Sequence, residues 1–304
     1  MSGKKIGVAA LLAACSLPAL ALDTTEIFRA ARPSLVQLAG FGQQGRMYLG
    51  SGVALPNGKI VTNCHVTQRA KKVQFLGGSR DQQASRQAAD LSHDLCALSF
   101  PGTNRPPASI GSSRDLKVGD TVYAVGFNGG AGLSFQRGDV AELFELDGGM
   151  VIRTTAGFTS GASGGGLFDA NGKLVGILTF YRVAPGGTSY FAVPAEWLEA
   201  LESVPAVDIE PQAGVPFWAE SPERQPIFLQ AGALEADHRW EELLAMAKQW
   251  TEASPDDAQA WMALGKAQLY LGERTVAEAS FKRAIELGIS YPAHFWSQVE
   301  GDSQ

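Results

Sequence analysis

The chain has 304 residues, 45% of them hydrophobic, which is enough for one sizeable globular domain and a second, smaller one. The formal net charge is −6, and no stretch is rich in lysine and arginine, which argues against a surface that binds nucleic acid. We therefore expect no nucleic acid among the partners of this protein.

The first 21 residues have the features of a bacterial export signal. Lys4 and Lys5 precede an apolar run over residues 6–14, and residues 19–21 form a small-x-small cleavage site. We expect cleavage after Ala21 and a periplasmic or secreted protein. Because the apolar run is short and is interrupted by Pro18, we expect no stable membrane insertion. One alternative remains, in which Cys15 is the lipidated residue of a lipoprotein signal.

The next 180 residues have the pattern of an all-β domain. A short entry helix over 23–33, with Thr24 or Thr25 as its N-cap, precedes many short apolar or alternating runs separated by glycine-rich and Pro-Asn-Gly turns. Such a series predicts a sandwich or a pair of barrels. A helix over 194–202, with proline in its first turn, closes the domain. The predicted strands are 34–41, 47–55, 59–63, 72–76, 94–100, 121–127, 133–146, 150–155, 173–180 and 189–193.

Beyond this domain the composition changes twice. Five prolines are spaced through residues 205–226, which predicts a semi-rigid linker over 205–225. From 226 to 304 the apolar residues follow a helical period and resemble tetratricopeptide repeats, clearly in the second unit and weakly in the first. The matching residues of the second unit are Ala258, Trp261, Leu264, Gly265, Gly272, Ala277, Phe281 and Ala284.

Two repeat units are fewer than such arrays usually need. We therefore expect the helical domain to be completed by a capping helix over 291–299 or to pack on the β domain. Its role has two interpretations: a groove that binds a protein partner or substrate, or a cover for apolar surface.

Three residues of the β domain could form one chemical site. His65 lies at the end of a predicted strand, Asp94 opens an apolar strand, and Ser163 lies in the glycine-rich stretch 159–168. Each residue alone has an ordinary structural explanation. Together they occur in the order histidine, aspartate, serine, which is the chain order of the chymotrypsin type of serine protease.

Further motifs extend this likeness over about residues 30–200. In chain order they are Gly50-Ser-Gly-Val53, Thr62-Asn-Cys-His-Val66, Asp94-Leu-Cys-Ala-Leu98, Gly119-Asp-Thr-Val-Tyr-Ala-Val-Gly126, Gly161-Ala-Ser-Gly-Gly165, Leu174-Val-Gly-Ile177 and Phe191-Ala-Val-Pro194. As a set they resemble the Deg/HtrA-type trypsin-like proteases. The resemblance implies an all-β, chymotrypsin-like double β-barrel over 22–204, and we expect the signal peptide over 1–21 to be removed.

The resemblance also implies roles for single residues. Ser163 would be the nucleophile, His65 the general base and then the acid, and Asp94 the group that orients the imidazole. The N–H groups of Gly161 and Ser163 would form the oxyanion hole. The remaining residues expected to bind substrate are Gly157, Phe158, Thr179, Phe180 and Tyr181. Because none of them is charged, we expect a preference for small or medium apolar side chains at the cleaved bond.

Cys64 and Cys96 are the cysteines that remain after signal cleavage, and two thiols in an exported chain favour a disulfide. Deg-type sequences usually carry alanine at both positions, and the paired replacement suggests that the two cysteines bond to each other. The alternatives are two free buried thiols and a metal site that includes His93. We expect no metal and no cofactor.

The most direct interpretation is an exported serine endopeptidase that cleaves polypeptides and recruits substrate or a partner through its helices. The alternative is a protease-fold scaffold with little turnover that acts as a protein-binding adaptor.

Overall fold

A computed structural model describes residues 23–77, 82–129, 132–185 and 187–289. The expected signal peptide, the alternative lipidation at Cys15 and the expected capping helix over 291–299 lie outside the described residues. Within these ranges, no helix combines the length and the apolar character that crossing a membrane requires.

The entry helix α1 spans Thr24–Ala31, and its N-cap is Asp23. The Asp23 carboxylate accepts a hydrogen bond from the Glu26 N–H at 2.8 Å, and the Glu26 carboxylate accepts one from the Asp23 N–H at 3.0 Å. The prediction of Thr24 or Thr25 as the cap was wrong, because the aspartate and the glutamate three residues later form a reciprocal capping box. The helix buries Ile27 and Ala31.

The first seven strands form one antiparallel sheet in the spatial order β6-β7-β3-β2-β1-β4-β5. Each of these strands that the sequence predicted is present, whereas β5 and β6 were missed because they are short and mostly polar. A one-turn helix, α2, spans Cys64–Thr67 directly after β3. The strands are β1 Leu35–Phe41, β2 Met47–Ala54, β3 Ile60–Asn63, β4 Lys72–Leu76, β5 Gln82–Gln83, β6 Arg86–Asp90 and β7 Leu95–Ser99.

The next six strands close into a barrel in the order β10-β13-β12-β11-β8-β9. The interior is filled by apolar side chains such as Val122, Ile152, Leu167 and Leu178. The sequence missed β11, which begins at Gly166 inside the stretch predicted as a turn, because glycine hides its strand character. The strands are β8 Thr121–Phe127, β9 Leu133–Leu146, β10 Gly149–Thr154, β11 Gly166–Asp169, β12 Leu174–Ala184 and β13 Gly187–Pro194.

The expected pair of closed barrels is therefore only half present in the described residues: one six-stranded barrel is closed, and the first sheet is open. The closing helix α3 spans Trp197–Glu202. Pro194 belongs to β13 instead of the first helical turn, because its pairing with Gly176 of β12 extends the strand.

The proline-rich segment after α3 lies along the first sheet. Its short strand β14, Val207–Asp208, pairs with β6 and adds an eighth strand to that sheet. Further along, the Gln212 N–H donates to the Gln68 carbonyl at 2.8 Å, and the Phe217 N–H donates to the Ser92 carbonyl at 2.9 Å. The end of α2 and the turn between β6 and β7 thus accept hydrogen bonds from backbone donors that a free spacer would leave to water.

Within the described residues, four helices follow: α4 Ile227–Ala236, α5 Trp240–Ala253, α6 Ala258–Tyr270 and α7 Arg274–Glu286. They pack on the barrel, which was one of the two arrangements expected for so short an array. Phe228 of α4 stacks on Phe144 of β9 with ring centroids 4.4 Å apart. The Gln259 side chain of α6 donates to the Leu143 carbonyl at 3.0 Å.

Candidate active site

His65 is carried by the one-turn helix α2 at the end of β3, where its ring is partly exposed. Its Nδ1 atom lies 2.6 Å from Oδ2 of Asp94, and its backbone N–H donates to Oδ1 of the same carboxylate at 2.8 Å. The side chain of His65 is 31% exposed, and that of Asp94 is 1% exposed. A buried carboxylate thus holds one ring nitrogen and leaves the opposite side of the imidazole accessible.

Asp94 adopts the left-handed backbone region, with φ of 60°, which is uncommon for a residue with a side chain. Its carbonyl accepts hydrogen bonds from the Cys64 N–H at 3.1 Å and from the Asn63 side chain at 3.0 Å. The strained turn therefore places both the carbonyl and the carboxylate of Asp94 against the end of β3. Strain of this kind persists where the surrounding structure fixes it, and functional sites are enriched in it.

A third donor reaches the same carboxylate from an unexpected part of the chain. The indole Nε1–H of Trp218, in the proline-rich segment, donates to Oδ2 of Asp94 at 3.1 Å. Sequence reasoning missed this contact, because Trp218 lies 124 residues from Asp94. The one signal that could have pointed to it is a tryptophan among the prolines of a predicted linker.

Ser163 lies in the tight turn that precedes β11. Its backbone carbonyl accepts from the Ser51 N–H at 2.8 Å, and its Oγ–H donates to the Thr179 carbonyl at 3.4 Å. Within the described residues, the Ser163 hydroxyl makes no hydrogen bond to His65. The three predicted residues are brought to one region, but the hydrogen bond expected between Ser163 and His65 is not formed in this conformation.

Glycine is required in this turn. Gly161 has φ of 97°, and a Cβ there would lie 2.4 Å from the Gly129 nitrogen. Its carbonyl accepts from the Ser51 hydroxyl at 2.8 Å, which fixes the direction of the peptide. Among the described residues, the N–H groups of Gly161 and Ser163 have no hydrogen-bond acceptor, so both remain available to a bound group.

The five residues expected to bind substrate do not form a single wall. Phe158 and Tyr181 contact each other and also Tyr190, with ring centroids 5.3–6.3 Å apart. Gly157 faces the same ring, because a Cβ there would lie 3.3 Å from Cζ of Tyr190. The sequence missed Tyr190, whose strand, β13, pairs with β12 and places the ring opposite Tyr181.

Thr179 and Phe180 face other neighbours. The Thr179 hydroxyl accepts from the Asn63 side chain at 3.1 Å, which links β12 to the end of β3. Phe180 lies between Phe191 and Trp218, with centroid distances of 4.6 and 5.1 Å. The alternation of a strand explains why Phe180 and Tyr181 point to different sides.

A disulfide joins Cys64 to Cys96, with their Cα atoms 4.9 Å apart, as the sequence favoured. The alternatives of free thiols and of a metal site with His93 were wrong. His93 instead contacts two carboxylates: its Nδ1 lies 2.6 Å from Asp90, and its Nε2 lies 3.0 Å from Asp147. Its ring also packs on Trp197, with centroids 4.0 Å apart.

Two of these groups have shifted pKa values. Burial alone would lower the pKa of His93, but the hydrogen bonds and charges of Asp90 and Asp147 outweigh it and raise the pKa above 6.5. Burial would raise the pKa of Asp90, but hydrogen bonds from His93 and Ser92 lower it from 3.8 to about 2. A protonated His93 is therefore favoured in the folded protein beside the candidate site.

Comparisons with known proteins agree with this geometry. Residues 50–177 match the family model described as a trypsin-like peptidase domain. The chain is 34% identical over 165 residues to the periplasmic pH-dependent serine endoprotease DegQ of Escherichia coli (strain K12), covering 50% of this chain and 36% of DegQ. It is 34% identical over 181 residues to the periplasmic serine endoprotease DegP of the same strain, covering 54% of this chain and 37% of DegP. The match thus spans little more than a third of these relatives.

The fold also matches solved structures. The HtrA-type protease AlgW with a tripeptide aligns with a TM-score of 0.53 and 27% identity, covering 60% of this chain and 63% of that chain. The Rv3671c protease from M. tuberculosis aligns with a TM-score of 0.55 and 22% identity, over 69% of this chain and 99% of that chain, and shows the fold alone. The architecture is a chymotrypsin-like β-barrel protease fold. Within that class, the chain is similar to trypsin-like peptidases of the Deg/HtrA type.

Proposed function

We propose that this protein is an exported serine endopeptidase. The observation that carries the proposal is the buried carboxylate of Asp94, 2.6 Å from Nδ1 of His65, in the same region as the glycine turn of Ser163. A buried carboxylate in this position holds the imidazole in the tautomer whose second nitrogen can accept a proton, as a general base must.

The reaction would proceed by acyl transfer. Ser163 Oγ attacks the carbonyl carbon of the scissile peptide as its proton passes to Nε2 of His65, and the Asp94 carboxylate stabilises the imidazolium. The carbonyl oxygen becomes an oxyanion that accepts hydrogen bonds from the free N–H groups of Gly161 and Ser163. The imidazolium then protonates the leaving amine, and water hydrolyses the acyl-enzyme by the same route.

One local rearrangement is required before this reaction. The Ser163 hydroxyl is bonded to the Thr179 carbonyl at 3.4 Å, which is a long and therefore weak hydrogen bond. Rotation of the serine side chain would release it and direct Oγ toward His65. We propose that bound polypeptide favours the rotated state.

The substrate class is polypeptide, and the primary pocket is formed by Gly157, Phe158, Tyr181 and Tyr190. The ring of Phe158 is buried, and no charged residue is part of this aromatic group. We propose small or medium apolar side chains at the cleaved bond, since a charged side chain would be desolvated here without a partner. The periplasm is the proposed location, in agreement with the names of the relatives and with an export signal over 1–21.

The helices are proposed to recruit a protein partner or substrate. The domain limits that we propose are 22–204 for the protease, 205–225 for the connecting segment and 226–304 for tetratricopeptide-like repeats. A cavity of about 700 Å³ lies between the barrel and the helices, lined among others by Arg182, Trp240, Lys266 and Tyr270. Tyr270 stacks on Trp240 with ring centroids 4.1 Å apart and remains 64% exposed, as a docking surface would require.

Labelling with a fluorophosphonate tests the proposed activity. The wild type should be labelled on Ser163, and Ser163→Ala and His65→Ala should lose the label while remaining folded. Cleavage of an unfolded protein substrate by the wild type, but not by Ser163→Ala, would follow. Absence of both labelling and cleavage, with and without unfolded substrate, would contradict a peptidase.

The alternative function is a scaffold with little turnover that binds proteins through its helices. It is favoured by one observation, the hydrogen bond of the Ser163 hydroxyl to Thr179 instead of His65. Under this alternative, partner binding would persist unchanged in Ser163→Ala and no substrate would be turned over.

A further inference from the structure

The carboxylate of Asp94 accepts hydrogen bonds from three donors, and only two of them belong to His65. The third is the indole of Trp218, in the segment between α3 and α4. A buried carboxylate needs donors to remain charged, and an indole N–H aimed at one of its oxygens supplies such a donor. The candidate catalytic centre is therefore completed by a residue outside the two β units.

We propose that Trp218 is a positioning residue of the His65–Asp94–Ser163 site, and that the segment around it couples the helical region to that site. This inference rests on the proposed peptidase function. Trp218 contacts no reacting atom in this proposal: it acts through Asp94, whose carboxylate orientation it fixes, and through the ring of His65, which it covers.

The effect of Trp218 on the orientation of the Asp94 carboxylate follows from how the three donors are divided between its two oxygens. Oδ1 accepts from the His65 backbone N–H at 2.8 Å, whereas Oδ2 is shared by Nδ1 of His65 at 2.6 Å and Nε1 of Trp218 at 3.1 Å. Loss of the indole N–H leaves Oδ2 with one donor in a site that excludes water. The carboxylate can then rotate about its Cβ–Cγ bond, which moves the imidazole that it orients.

The effect of Trp218 on the ring of His65 follows from the packing of aromatic rings. The Trp218 ring meets that of His65 edge to face, with centroids 5.7 Å apart and planes at 86°. Its own face is stacked on Phe180 at 5.1 Å, and Phe180 is stacked on Phe191 of β13 at 4.6 Å. Since β13 belongs to the closed barrel, this stack holds the indole against His65 and restricts tilting of the imidazole.

A chain of hydrogen bonds joins Trp218 to the first helix of the helical region. The Gln225 side chain donates to the Trp218 carbonyl at 3.2 Å and accepts from the Arg182 guanidinium at 2.7 Å. Arg182, at the end of β12, also donates to the Leu229 carbonyl in α4 at 3.0 Å. A displacement of α4 is therefore transmitted to Gln225 and to the backbone that carries the indole.

The substitution Trp218→Phe tests the proposal, because it removes the N–H and retains an aromatic ring. The matched control is Trp250→Phe, in which the lost indole N–H donates to Asp257 at 3.0 Å within the helical region. We expect kcat on a fluorogenic peptide to fall about tenfold in Trp218→Phe with KM changed less than twofold, since a hydrogen bond to a charged group is worth about that much. Trp250→Phe should lose about as much thermal stability as Trp218→Phe, but it should keep the kcat of the wild type.

Two further measurements distinguish a failure of the positioning proposal from a failure of the proposed peptidase function. Gln225→Ala leaves the indole intact but removes the side-chain hydrogen bond to the Trp218 carbonyl. We expect log kcat to fall by about half as much as it falls in Trp218→Phe. Independently of activity, the indole N–H resonance that disappears in Trp218→Phe should shift in Asp94→Asn, because its charged acceptor is replaced by a neutral amide.

If the wild type is inactive but its indole resonance still shifts in Asp94→Asn, the proposed peptidase function is contradicted. The hydrogen bond between Trp218 and Asp94 is then still supported. Equal kcat in the wild type and Trp218→Phe, or an indole resonance that is the same in Asp94→Asn, would overturn the proposal.

Discussion

Cys64 and Cys96 are joined by a disulfide that brackets the two residues of the His65–Asp94 pair, because Cys64 precedes His65 and Cys96 follows Asp94 by two residues. The bond closes a loop over a sequence separation of 32 residues that carries both groups. It therefore limits how far the end of β3 and the start of β7 can separate.

Removal of this bond should destabilise the protein. We expect Cys64→Ala with Cys96→Ala to lower the free energy of unfolding by about 4 kcal/mol, since a crosslink that closes a loop of this length removes about that much conformational entropy from the unfolded chain. Chemical denaturation under non-reducing conditions measures the difference. Intact mass before and after reduction and alkylation is the control, and two free thiols in the unreduced mature protein would contradict the bond.

Substitution of the orienting carboxylate should impair catalysis more than folding. Asp94→Asn replaces an acceptor of three hydrogen bonds by an amide that cannot hold the same His65 tautomer, and we expect kcat to fall by about 10⁴-fold. Asp90→Asn is the neighbouring control, since Asp90 contacts His93 instead of His65. Similar kcat values for the two variants would argue against the role of Asp94.

The ion pairs between barrel and helices lead to a prediction about stability. Lys266 of α6 lies 3.2 Å from Glu142 of β9 and 2.9 Å from Glu235 of α4. Burial alone would lower the pKa of Lys266, but the charges of the two glutamates outweigh it and raise the pKa, so the ammonium is retained.

We expect Lys266→Met to cost about 2 kcal/mol of unfolding free energy, because it leaves the partly buried Glu142 with less compensation. Lys266→Met combined with Glu142→Gln should recover part of that loss. Arg239→Met, which removes an exposed pair with Glu242 in the same region, is the control and should leave stability nearly unchanged. An equal cost for the two single variants would contradict a stabilising, partly buried network.

His93 should make stability depend on pH. Its folded pKa is raised above 6.5, so its contribution is fully present below that value and is lost as the pH rises through the folded pKa. Asp90, with a pKa of about 2, stays charged throughout this range and adds no slope of its own. We expect the stability difference between the wild type and His93→Gln to be larger at pH 5.5 than at pH 9. Parallel pH profiles for the two proteins would refute this.

The proposed pocket residues predict the cleavage preference. Because none of Gly157, Phe158, Tyr181 and Tyr190 is charged, the primary pocket that we propose should accept small or medium apolar residues, and a peptide library should show cleavage after them. Tyr190→Ala enlarges the space beside Gly157 and should shift the preference toward larger apolar side chains. Efficient cleavage after arginine or lysine by the wild type would refute the prediction.

The strands and the chemistry-bearing residues could be predicted because they depend on local pattern. All ten predicted strands are present, and His65 follows β3 while Asp94 precedes β7, whereas Ser163 precedes β11, a strand that was not predicted. The cap of α1, the one-turn helix that carries His65 and the strand that begins at Gly166 were not predicted. The Asp23–Glu26 capping box replaced the predicted cap of α1, a helix of one turn is too short to show a helical period, and glycine hides the strand character of β11.

The sequence by itself determined the class of domain, the order histidine, aspartate and serine, and the residues needed for a tight glycine turn, because period, glycine content and motif spacing are properties of neighbouring residues. Only the tertiary structure decided that Trp218 bonds to Asp94, that Tyr190 joins Phe158 and Tyr181, and that Lys266 bonds to Glu142. Those contacts join residues that are far apart in the chain. A buried charge or ring needs a partner at the right distance and in the right direction, and the order of residues along the chain does not specify either.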